Sequence, residues 1–479
     1  MNKQAPLVVI NIVGLTPSLL GAHTPHLNTL VRDGFLAQLD GSFPAVTCSA
    51  QASMLTGTPP ARHGIVANGW YFRELAEIHF WRQSNHLVQG EKVWDTARRA
   101  LPGFTCAQLF WWFNMYAAVE YAVTPRPMYP ADGRKIPALY SQPAALKMEL
   151  EQELGPFPLF HFWGPAADIR SSRWIAACAR AVFDAKRPTL TLVYLPHLDY
   201  NLQRLGPEHP AIADDLRAID AVAGELIEHV RDAGAEVMVL SEYGIEPAVG
   251  HVHINRVLRD HGLLAVHETL GWELLDAGAS RAFAVADHQI AHVYVRQASD
   301  LAFVSRLLGN TPGINRVLDH TAQAAAGIGH ARAGELLAVA EPGHWFTYYY
   351  WLHDARAPDF ARTVDIHRKP GYDPVELFLD PDLRAPRLRI ATRLAQKALG
   401  LRTLMDVIPL KPELVHGTHG RLATDPARGP LLIGTHKPLA AERYAITDVK
   451  DVILRHWTGT SAHGGRAAPT AASTDIGTT

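Results

Sequence analysis

One stretch of the sequence carries most of its candidate chemistry: FPAVTCSAQASMLTGTPPARHGIVANGW, at residues 43–70. Thr47 stands directly after a strand-like run and opens a helix-like segment. Backbone N–H groups and the helix dipole favour an anion at such a position, so a hydroxyl there can meet a phosphoryl group. The same threonine could serve only as the N-cap of the helix. Cys48 could be a nucleophilic thiol, although a small buried residue at a helix start explains it better.

Histidine-rich and basic segments elsewhere offer further candidates. His251 and His253 would share a face of an extended segment, and ADHQIAH at 286–292 would need partners if it were buried. A Pro-Gly turn carries Arg368 and Lys369, which are natural contacts for a phosphate or a carboxylate. The alternative for each histidine is an ordinary hydrogen-bonded residue, and for the turn a solvated loop. No Walker loop, Rossmann fingerprint or CxxC pair is present.

The threonine block resembles that of the alkaline phosphatase superfamily, in its type I phosphodiesterase/nucleotide pyrophosphatase branch, which includes phosphonoacetate hydrolase. The family block has Pro-Thr-x-Thr and then TG-x-x-P-x-x-HGI-x-x-N; this chain has PAVT at 44–47 and TGTPPARHGIVAN at 56–68. With gaps over insertions, the resemblance runs from about residue 5 to 456. It implies that Thr47 is the nucleophile and that Asn68 holds a phosphoryl oxygen.

The resemblance also implies two divalent metals, usually zinc, bound by Asp and His side chains, one of which ionises the threonine. Three of the implied positions keep a ligand type: Asp199, Glu242 and His419. Three others depart from the family pattern: Val13, Gln203 and Tyr243. Valine has no donor atom, and a phenol with a pKa of about 10 is a poor zinc ligand at neutral pH. We therefore expect zinc or manganese at fewer than two ions per chain, or no metal.

Composition excludes several classes of protein. The 479 residues include 45 basic and 47 acidic ones, so no global charge favours nucleic acid or an anionic membrane. No apolar run reaches the ~20 residues that span a bilayer. The run 7–15 could imitate a signal sequence, but Asn11 and Gly14 within it favour a buried first strand. Three cysteines do not make a disulfide framework, which favours a cytoplasmic protein.

The elements that must position these residues have the pattern of an α/β fold. Continuous apolar runs that fit strands buried on both faces occur at 7–13, 189–196, 235–242 and 430–434. After Pro210, apolar residues recur at spacings of three and four up to Gly234, which predicts a helix with one buried face. We expect an alkaline-phosphatase-like core with a mainly parallel central sheet flanked by helices, plus an inserted α+β cap.

The chain order predicts how these parts are divided. Residues 1–254 and 410–458 would form the α/β core, and 255–409 the cap. A second, aromatic-rich insertion is expected at about 105–165. Residues 459–479 are small, polar and without periodicity, which is typical of a disordered tail.

Two functions from different classes fit this sequence. In the first, the chain is a diverged phosphodiesterase or nucleotide pyrophosphatase that hydrolyses a phosphorylated small molecule, with Thr47 attacking phosphorus. In the alternative, it keeps the fold, lacks the metals and binds a ligand or partner without catalysis. A changed reaction such as phosphoryl isomerisation is a third hypothesis. Neither nucleic acid nor a membrane is expected as a partner, and the sequence leaves the oligomeric state open.

Overall fold

The computed structural model describes residues 5–131, 134–435 and 442–459. Within these ranges the strands are β1 (Leu7–Ile12), β2 (Phe35–Asp40), β3 (Gly69–Phe72), β4 (Glu77–Phe80), β5 (Cys106–Leu109), β6 (Tyr121–Pro125), β7 (Leu139–Gln142), β8 (Leu190–Leu195), β9 (Glu236–Leu240), β10 (Glu246–Pro247), β11 (Gly250–Val252), β12 (Ala265–Thr269), β13 (Trp272–Asp276), β14 (Ala282–Asp287), β15 (Ile290–Val295), β16 (Ile314–Leu318), β17 (Leu336–Ala340), β18 (His344–Phe346), β19 (Gly417–Thr418), β20 (Leu431–Gly434) and β21 (Arg443–Ala445).

The α-helices of the same ranges are α1 (Pro25–Asp33), α2 (Thr47–Thr56), α3 (Pro60–His63), α4 (Val93–Ala100), α5 (Leu146–Leu154), α6 (Ile169–Lys186), α7 (His197–Leu205), α8 (Ile212–Asp232), α9 (Ile254–Asp260), α10 (Ala298–Gly309), α11 (His320–Ala325), α12 (Pro386–Ala398) and α13 (Val449–Thr458).

The central sheet has the strand order β21-β2-β20-β9-β1-β8-β5-β6-β7. In this order, each strand from β9 to β6 is parallel to the next one. The four predicted apolar strands, β20, β9, β1 and β8, are neighbours in the middle of the sheet, as expected. β20 is antiparallel to both β2 and β9. A continuous apolar run indicates burial on both faces but not strand direction, so the sequence could not show this reversal.

The predicted helix after Pro210 is α8, and it packs against α6, α7 and α1. Its apolar residues at spacings of three and four all lie in the core: Ile212, Leu216, Ile219, Ala223, Leu226 and Val230. The prediction of a helix with one buried face is confirmed. With helices packed against a mainly parallel central sheet, the expected α/β fold class is confirmed as well.

The expected insertion at about 105–165 is wrong in its first half. Residues of this segment form β5, β6 and β7, which are three strands of the central sheet. Its aromatic residues fill the core beside that sheet; the ring of Phe110 lies 5.0 Å from Phe157 and 5.9 Å from Trp174. The strands are only four or five residues long and contain polar residues such as Gln108 and Thr124, so the sequence shows no continuous apolar run there.

A second sheet lies within the predicted cap region. It has the order β14-β15-β17-β16, is antiparallel throughout and has its own apolar core. The run 345–352 is a strand only at its start, in β18, where it pairs with β11. Tyr348, Tyr349, Tyr350 and Trp351 are buried in irregular structure, packed on one another. The domain boundaries at 254/255 and 409/410 stay predictions.

The end of the chain is described only as far as Gly459, which ends α13 with a φ of 63°. Residues 460–479, nearly all of the predicted disordered tail, lie outside the described residues. Among the described helices, none has the length and apolar character needed to cross a membrane.

Candidate active site

Thr47 is the first residue of α2, and its side chain lines a large cavity. Its hydroxyl is hydrogen-bonded to the Tyr243 hydroxyl, with 3.0 Å between the oxygens. Asn68 supports the start of this helix, because its Oδ1 accepts a hydrogen bond of 3.0 Å from the Cys48 N–H. The Asn68 amide donates to Asp287 at 3.1 Å, so both polar atoms of this side chain are occupied. A role for Asn68 in holding a phosphoryl oxygen stays a prediction.

Asp199 lies in the first turn of α7, and the Tyr243 hydroxyl lies between its carboxyl and the Thr47 hydroxyl. The Tyr243 hydroxyl is 3.4 Å from Asp199 Oδ1, and Gln203 donates to Asp199 Oδ2 at 2.8 Å. Positions four apart on a helix share one face, which is why Gln203 reaches the same carboxyl. Tyr372 in turn donates to Gln203 Oε1 at 2.9 Å. Burial raises the pKa of Asp199 to about 7, even though the hydrogen bonds from Gln203 and Tyr243 favour the ionised form.

Glu242 follows β9 and is fully buried among amide donors. Asn11 Nδ2 and Gln51 Nε2 each donate to Glu242 Oε1 at 2.6 Å. Burial raises the pKa of Glu242 to about 8, although hydrogen bonds from Gln51, Asn11 and Thr47 oppose this shift. Near neutral pH this carboxyl is therefore mostly protonated, and it adds little negative charge to the site.

A column of four stacked rings lies beside Thr47. The rings of Tyr243 and His419 are 3.8 Å apart and nearly parallel, and the His419 ring lies 3.7 Å from the His288 ring. His288 stacks in turn on Tyr372 at 3.6 Å. Burial lowers the pKa of both histidines well below the usual value, so both are neutral near pH 7. All four side chains line the cavity.

His288 reaches this column from the second sheet. It occupies the turn between β14 and β15 with a φ of 58°, in the left-handed region that non-glycine residues seldom adopt. Its Nδ1 lies 2.7 Å from Asp287 Oδ1, and Asp287 also accepts from the Asn68 backbone at 2.7 Å. The hairpin of the second sheet is thereby fixed against the segment that follows α3. Since Asp287 and His288 come from residues 286–292, the expectation that a buried polar cluster there needs partners is confirmed.

The structure separates the two predicted anion contacts of the Pro-Gly turn. Arg368 lines the cavity, with its guanidinium 2.8 Å from Asp359. Lys369 does not line it: its ammonium is buried between Asp373 at 2.7 Å and Glu376 at 2.8 Å. A lysine held by two carboxylates is satisfied within the protein. The expected contact of Lys369 with substrate therefore has no support in this geometry.

The cavity has a volume of about 1730 Å³. Trp81 and Trp112 form part of its wall, with ring centroids 4.7 Å apart. Its basic lining residues are Arg82, Arg126, Arg134, Lys135, Arg368, Lys397 and Arg402. Its acidic ones are Asp199, Asp359 and Asp365. A cavity that combines aromatic walls with an excess of basic groups suits an anionic organic ligand.

Sequence reasoning missed several residues of this site. Gln51 had a usable signal, because it lies one helical turn after Thr47; its Oε1 accepts from the Trp112 backbone at 2.7 Å. Trp81 and Tyr372 carried no signal of spacing. Of the other histidine candidates, His253 bonds to Thr347 and lies 4.8 Å from His251, and neither lines the cavity.

The residues around Thr47 do not fit the two divalent metals that the family resemblance implies. Val13 is buried in the core and offers no ligand atom, while the adjacent Gly14 keeps its place because its φ is 77° and a Cβ would lie 2.9 Å from Leu202. Amide and phenol donors contact both oxygens of Asp199 and Oε1 of Glu242, whereas Glu242 Oε2 is buried without a hydrogen-bond partner among the described residues. Across residues 5–131, 134–435 and 442–459, no three His, Cys, Asp or Glu side chains are placed to hold one ion.

The stacking of the imidazoles supports the same conclusion. The rings of His419 and His288 are 3.7 Å apart with 39° between their planes, and among the described residues neither belongs to a set of three side chains placed to hold one ion. His419 Nδ1 is 2.8 Å from the Ala45 carbonyl, so only Nε2 of this imidazole is left to bind an ion. No step of a reaction can be assigned to a metal with this set of residues. That the purified chain carries fewer than two ions stays a prediction.

The family model described as type I phosphodiesterase / nucleotide pyrophosphatase matches residues 7–373 of this chain. The chain belongs to this family. A curated relative, an uncharacterized pyrophosphatase/phosphodiesterase of Schizosaccharomyces pombe, is 25% identical over 258 residues. These are 51% of this chain and 45% of that protein, so the chain matches less than half of its length.

Two solved structures show the same fold at low sequence identity. Murine ectonucleotide pyrophosphatase / phosphodiesterase 5 aligns with a TM-score of 0.57 and 17% identity, over 97% of this chain and 98% of that one. Phosphonoacetate hydrolase from Sinorhizobium meliloti 1021, in complex with phosphonoformate, aligns with a TM-score of 0.59 and 14% identity, over 95% and 96%. Family members are normally dependent on divalent metals, and this chain departs from them in the residues around Thr47.

Proposed function

We propose that this family member binds a phosphorylated small molecule in the cavity beside Thr47 and does so without metals. One observation carries the proposal. Burial raises the pKa of Asp199 to about 7 and that of Glu242 to about 8, and neighbouring amides and the Tyr243 phenol hold the two carboxyls, so the protein itself completes the site. A largely uncharged polar site does not repel an anion, whereas two bare carboxylates would.

The lining of the cavity supports an anionic ligand with an aromatic part. Seven basic and three acidic residues line it, so it has an excess of positive charge. Trp81, Trp112 and the ring column that ends at Tyr372 offer faces on which a flat ring can stack. Two relatives have anionic phosphorus compounds in their structures, of which only the first has an aromatic part: an inactive variant of murine ectonucleotide pyrophosphatase / phosphodiesterase 5 is in complex with AMP, and the phosphonoacetate hydrolase with phosphonoformate.

Hydrolysis through Thr47 is the second candidate, and one contact favours it. The hydroxyls of Thr47 and Tyr243 and the carboxyl of Asp199 form a chain with steps of 3.0 and 3.4 Å. Such a chain could carry a proton from the Thr47 hydroxyl to an ionised Asp199 during attack on phosphorus. However, both histidines nearby are neutral and poor acids, and no described basic side chain is hydrogen-bonded to Thr47, Asp199 or Glu242. The geometry therefore favours binding.

Titration of the purified protein with AMP, in buffer with excess chelator, tests the proposal. Binding by calorimetry, together with a change in tryptophan fluorescence from the cavity wall, is the expected result. Arg368→Ala should weaken AMP binding by about tenfold, because it removes a charge-assisted contact. Arg173→Ala is the matched control, since Arg173 is an exposed arginine on α6 outside the cavity.

The same preparations decide between binding and hydrolysis. A nitrophenyl phosphodiester is incubated with wild type and Thr47→Ala, with chelator and with added Zn²⁺ or Mn²⁺. Binding without turnover under every condition supports the proposal. Turnover that Thr47→Ala abolishes would establish the hydrolase instead. Turnover that Thr47→Ala retains would place the chemistry at other residues.

A further inference from the structure

An unusual surface lies at the mouth of the cavity, where α12 and the loop after it pack loosely on the protein. No residue of α12 is buried. Four leucines of this segment are between 55% and 79% exposed: Leu388, Leu394, Leu399 and Leu401. We refer to these leucines, with the flanking Arg384, Arg387 and Arg402, as the α12 surface. Monomeric soluble proteins seldom leave so many neighbouring apolar side chains uncovered.

α12 carries apolar residues on two sides. Ile390 and Leu394 line the cavity, and Ile390 packs against a buried apolar cluster. Leu388, Ala391 and Ala395 have helical spacing and are exposed. An amphipathic helix on a globular protein normally packs its apolar side inward, whereas this helix leaves a second apolar stripe exposed.

Two exposed aromatic residues lie on other walls of the same mouth. Tyr129 and Phe160 line the cavity and are 56% and 55% exposed. They come from segments far from α12 in the sequence, so three separate parts of the chain contribute exposed large apolar side chains to the lining of one cavity. Tyrosine, phenylalanine and leucine side chains together are typical of surfaces that insert into the headgroup region of a bilayer.

The α12 surface has an excess of basic residues, although Asp380, Asp382 and Asp406 flank it in the sequence. From Leu383 to Met405 the chain has six basic residues and no acidic one. Arg389 and Arg393 are paired with Asp406, whereas Arg384, Arg387, Lys397 and Arg402 have no acidic partner among the described residues. Exposed leucines flanked by unpaired cations complement a surface that is apolar inside and negatively charged outside.

We infer that the α12 surface docks on an anionic lipid bilayer, with its leucines in the headgroup region and the mouth of the cavity facing the membrane. This docking is peripheral and agrees with the finding that no described helix could cross a membrane. The balance of 45 basic against 47 acidic residues over the whole chain, from which no membrane partner is expected, does not describe this local basic segment. A second copy of the chain is a poorer occupant, because a two-fold interface would set the unpaired arginines of both copies against each other.

Vesicle sedimentation with the full chain tests this inference. We expect binding to vesicles that contain phosphatidylserine, little binding to phosphatidylcholine alone, and weaker binding as salt is raised. Leu388→Glu with Leu399→Glu should lower the vesicle-bound fraction by about tenfold or more, since both leucines would leave the headgroup region. Neither residue lines the cavity. Met148→Glu, on the exposed side of α5, is the matched control and should bind like wild type.

Charge reversal gives an independent second test. Arg387→Glu should weaken binding to anionic vesicles by about tenfold, and the exposed Arg173→Glu on α6 should not. Thermal denaturation checks that each variant is folded. We expect it to be, because the substituted side chains are exposed. Equal binding to neutral and anionic vesicles, or unchanged binding of the leucine variant, would overturn the inference. So would a wild-type dimer, measured by light scattering, that the leucine variant converts to a monomer, because this would identify the surface as a self-interface.

Discussion

Two groups of buried carboxyls lie near the cavity, and they differ in whether a buried cation is paired with them. Asp373 and Glu376 enclose the Lys369 ammonium at 2.7 and 2.8 Å. Burial alone would lower the pKa of Lys369, but the two carboxylates outweigh it and raise that pKa. Asp199 and Glu242 have no cation, and burial raises their pKa values to about 7 and 8. The first group is a closed ion cluster, and the second is a polar site that has lost its counter-charges.

This difference separates a cluster whose charges are paired internally from the carboxyls that lie near Thr47. A cluster whose charges are paired within the chain has no vacancy for a ligand, whatever its sequence suggests. Carboxyls held near neutrality by burial, next to a cavity, are typical of functional sites. The Lys369 ammonium is therefore paired within the protein, whereas a functional role for Asp199 and Glu242, which the family resemblance implied, stays a prediction.

The largest effect is expected when the closed cluster is broken. Lys369→Met leaves Asp373 and Glu376 buried without their cation, and we expect a loss of about 3–5 kcal/mol in the free energy of unfolding. Urea denaturation measures it. Lys186→Met is the matched control, because Lys186 pairs with Glu149 near the surface at 3.1 Å and should lose at most about 1 kcal/mol. Equal losses in the two variants would mean that the Lys369 cluster is not closed.

Removing the ionisable group of Glu242, which has no paired cation, should raise the free energy of unfolding instead of lowering it. The folded-state pKa of Glu242 is about 8, above its ordinary value of 4.5. A raised pKa of this kind means that stability is greatest below about pH 4.5 and is lost as the pH rises toward about 8, because the folded state must give up a proton that it holds more tightly. Glu242→Gln keeps the shape of the side chain and cannot ionise. It should therefore be more stable than wild type near pH 8, by about 1–3 kcal/mol, and nearly equal to it near pH 5.

Denaturation at both pH values checks this prediction. Glu149→Gln, at an exposed position of α5, controls for general effects of pH on the chain. A gain of the same size at both pH values would mean that the Glu242 carboxyl titrates normally. The comparison between the closed and the open group would then fail.

Particular residues show which features of the structure could be predicted from the sequence and which could not. Apolar runs predicted β20, β9, β1 and β8 correctly, because a strand buried on both faces has a continuous apolar sequence. The family resemblance predicted that Thr47, Asp199, Glu242 and His419 lie together. The interpretation of Lys369 failed because a Pro-Gly turn gives no sign of whether its lysine points to solvent or to carboxylates. His288 reaches the site from another sheet, through a hairpin turn whose partner lies more than 200 residues away, at Asn68. Such contacts depend on tertiary packing, which local periodicity does not contain.

A smaller effect on stability is expected from the hydrogen bond between the hydroxyls of Thr47 and Tyr243. Thr47→Ala leaves the Tyr243 hydroxyl with one partner fewer and should destabilise the protein by about 1 kcal/mol. Thr47→Ser keeps the hydroxyl and should recover most of that loss. A double-mutant cycle with Tyr243→Phe separates this hydrogen bond from other effects of the substitutions. A coupling energy near zero would show that the two hydroxyls do not interact in solution.

The smallest effect is expected from metal. Hydrogen-bond donors occupy both oxygens of Asp199 and one oxygen of Glu242, and Val13 offers no ligand atom. Zn²⁺ at about 1 mM should therefore stabilise wild type by no more than about 0.4 kcal/mol, which corresponds to a dissociation constant of about 1 mM or weaker. Elemental analysis after dialysis should find fewer than two ions per chain. A variant that restores the family ligands, with Val13→Asp, Gln203→His, Glu242→Asp and Tyr243→His together, is the matched control. Zinc at the same concentration should stabilise that variant by about 4 kcal/mol if it binds with micromolar affinity. Two tightly bound ions in wild type would show that side chains rearrange to accept metal, and the open group of carboxyls would then be a metal site after all.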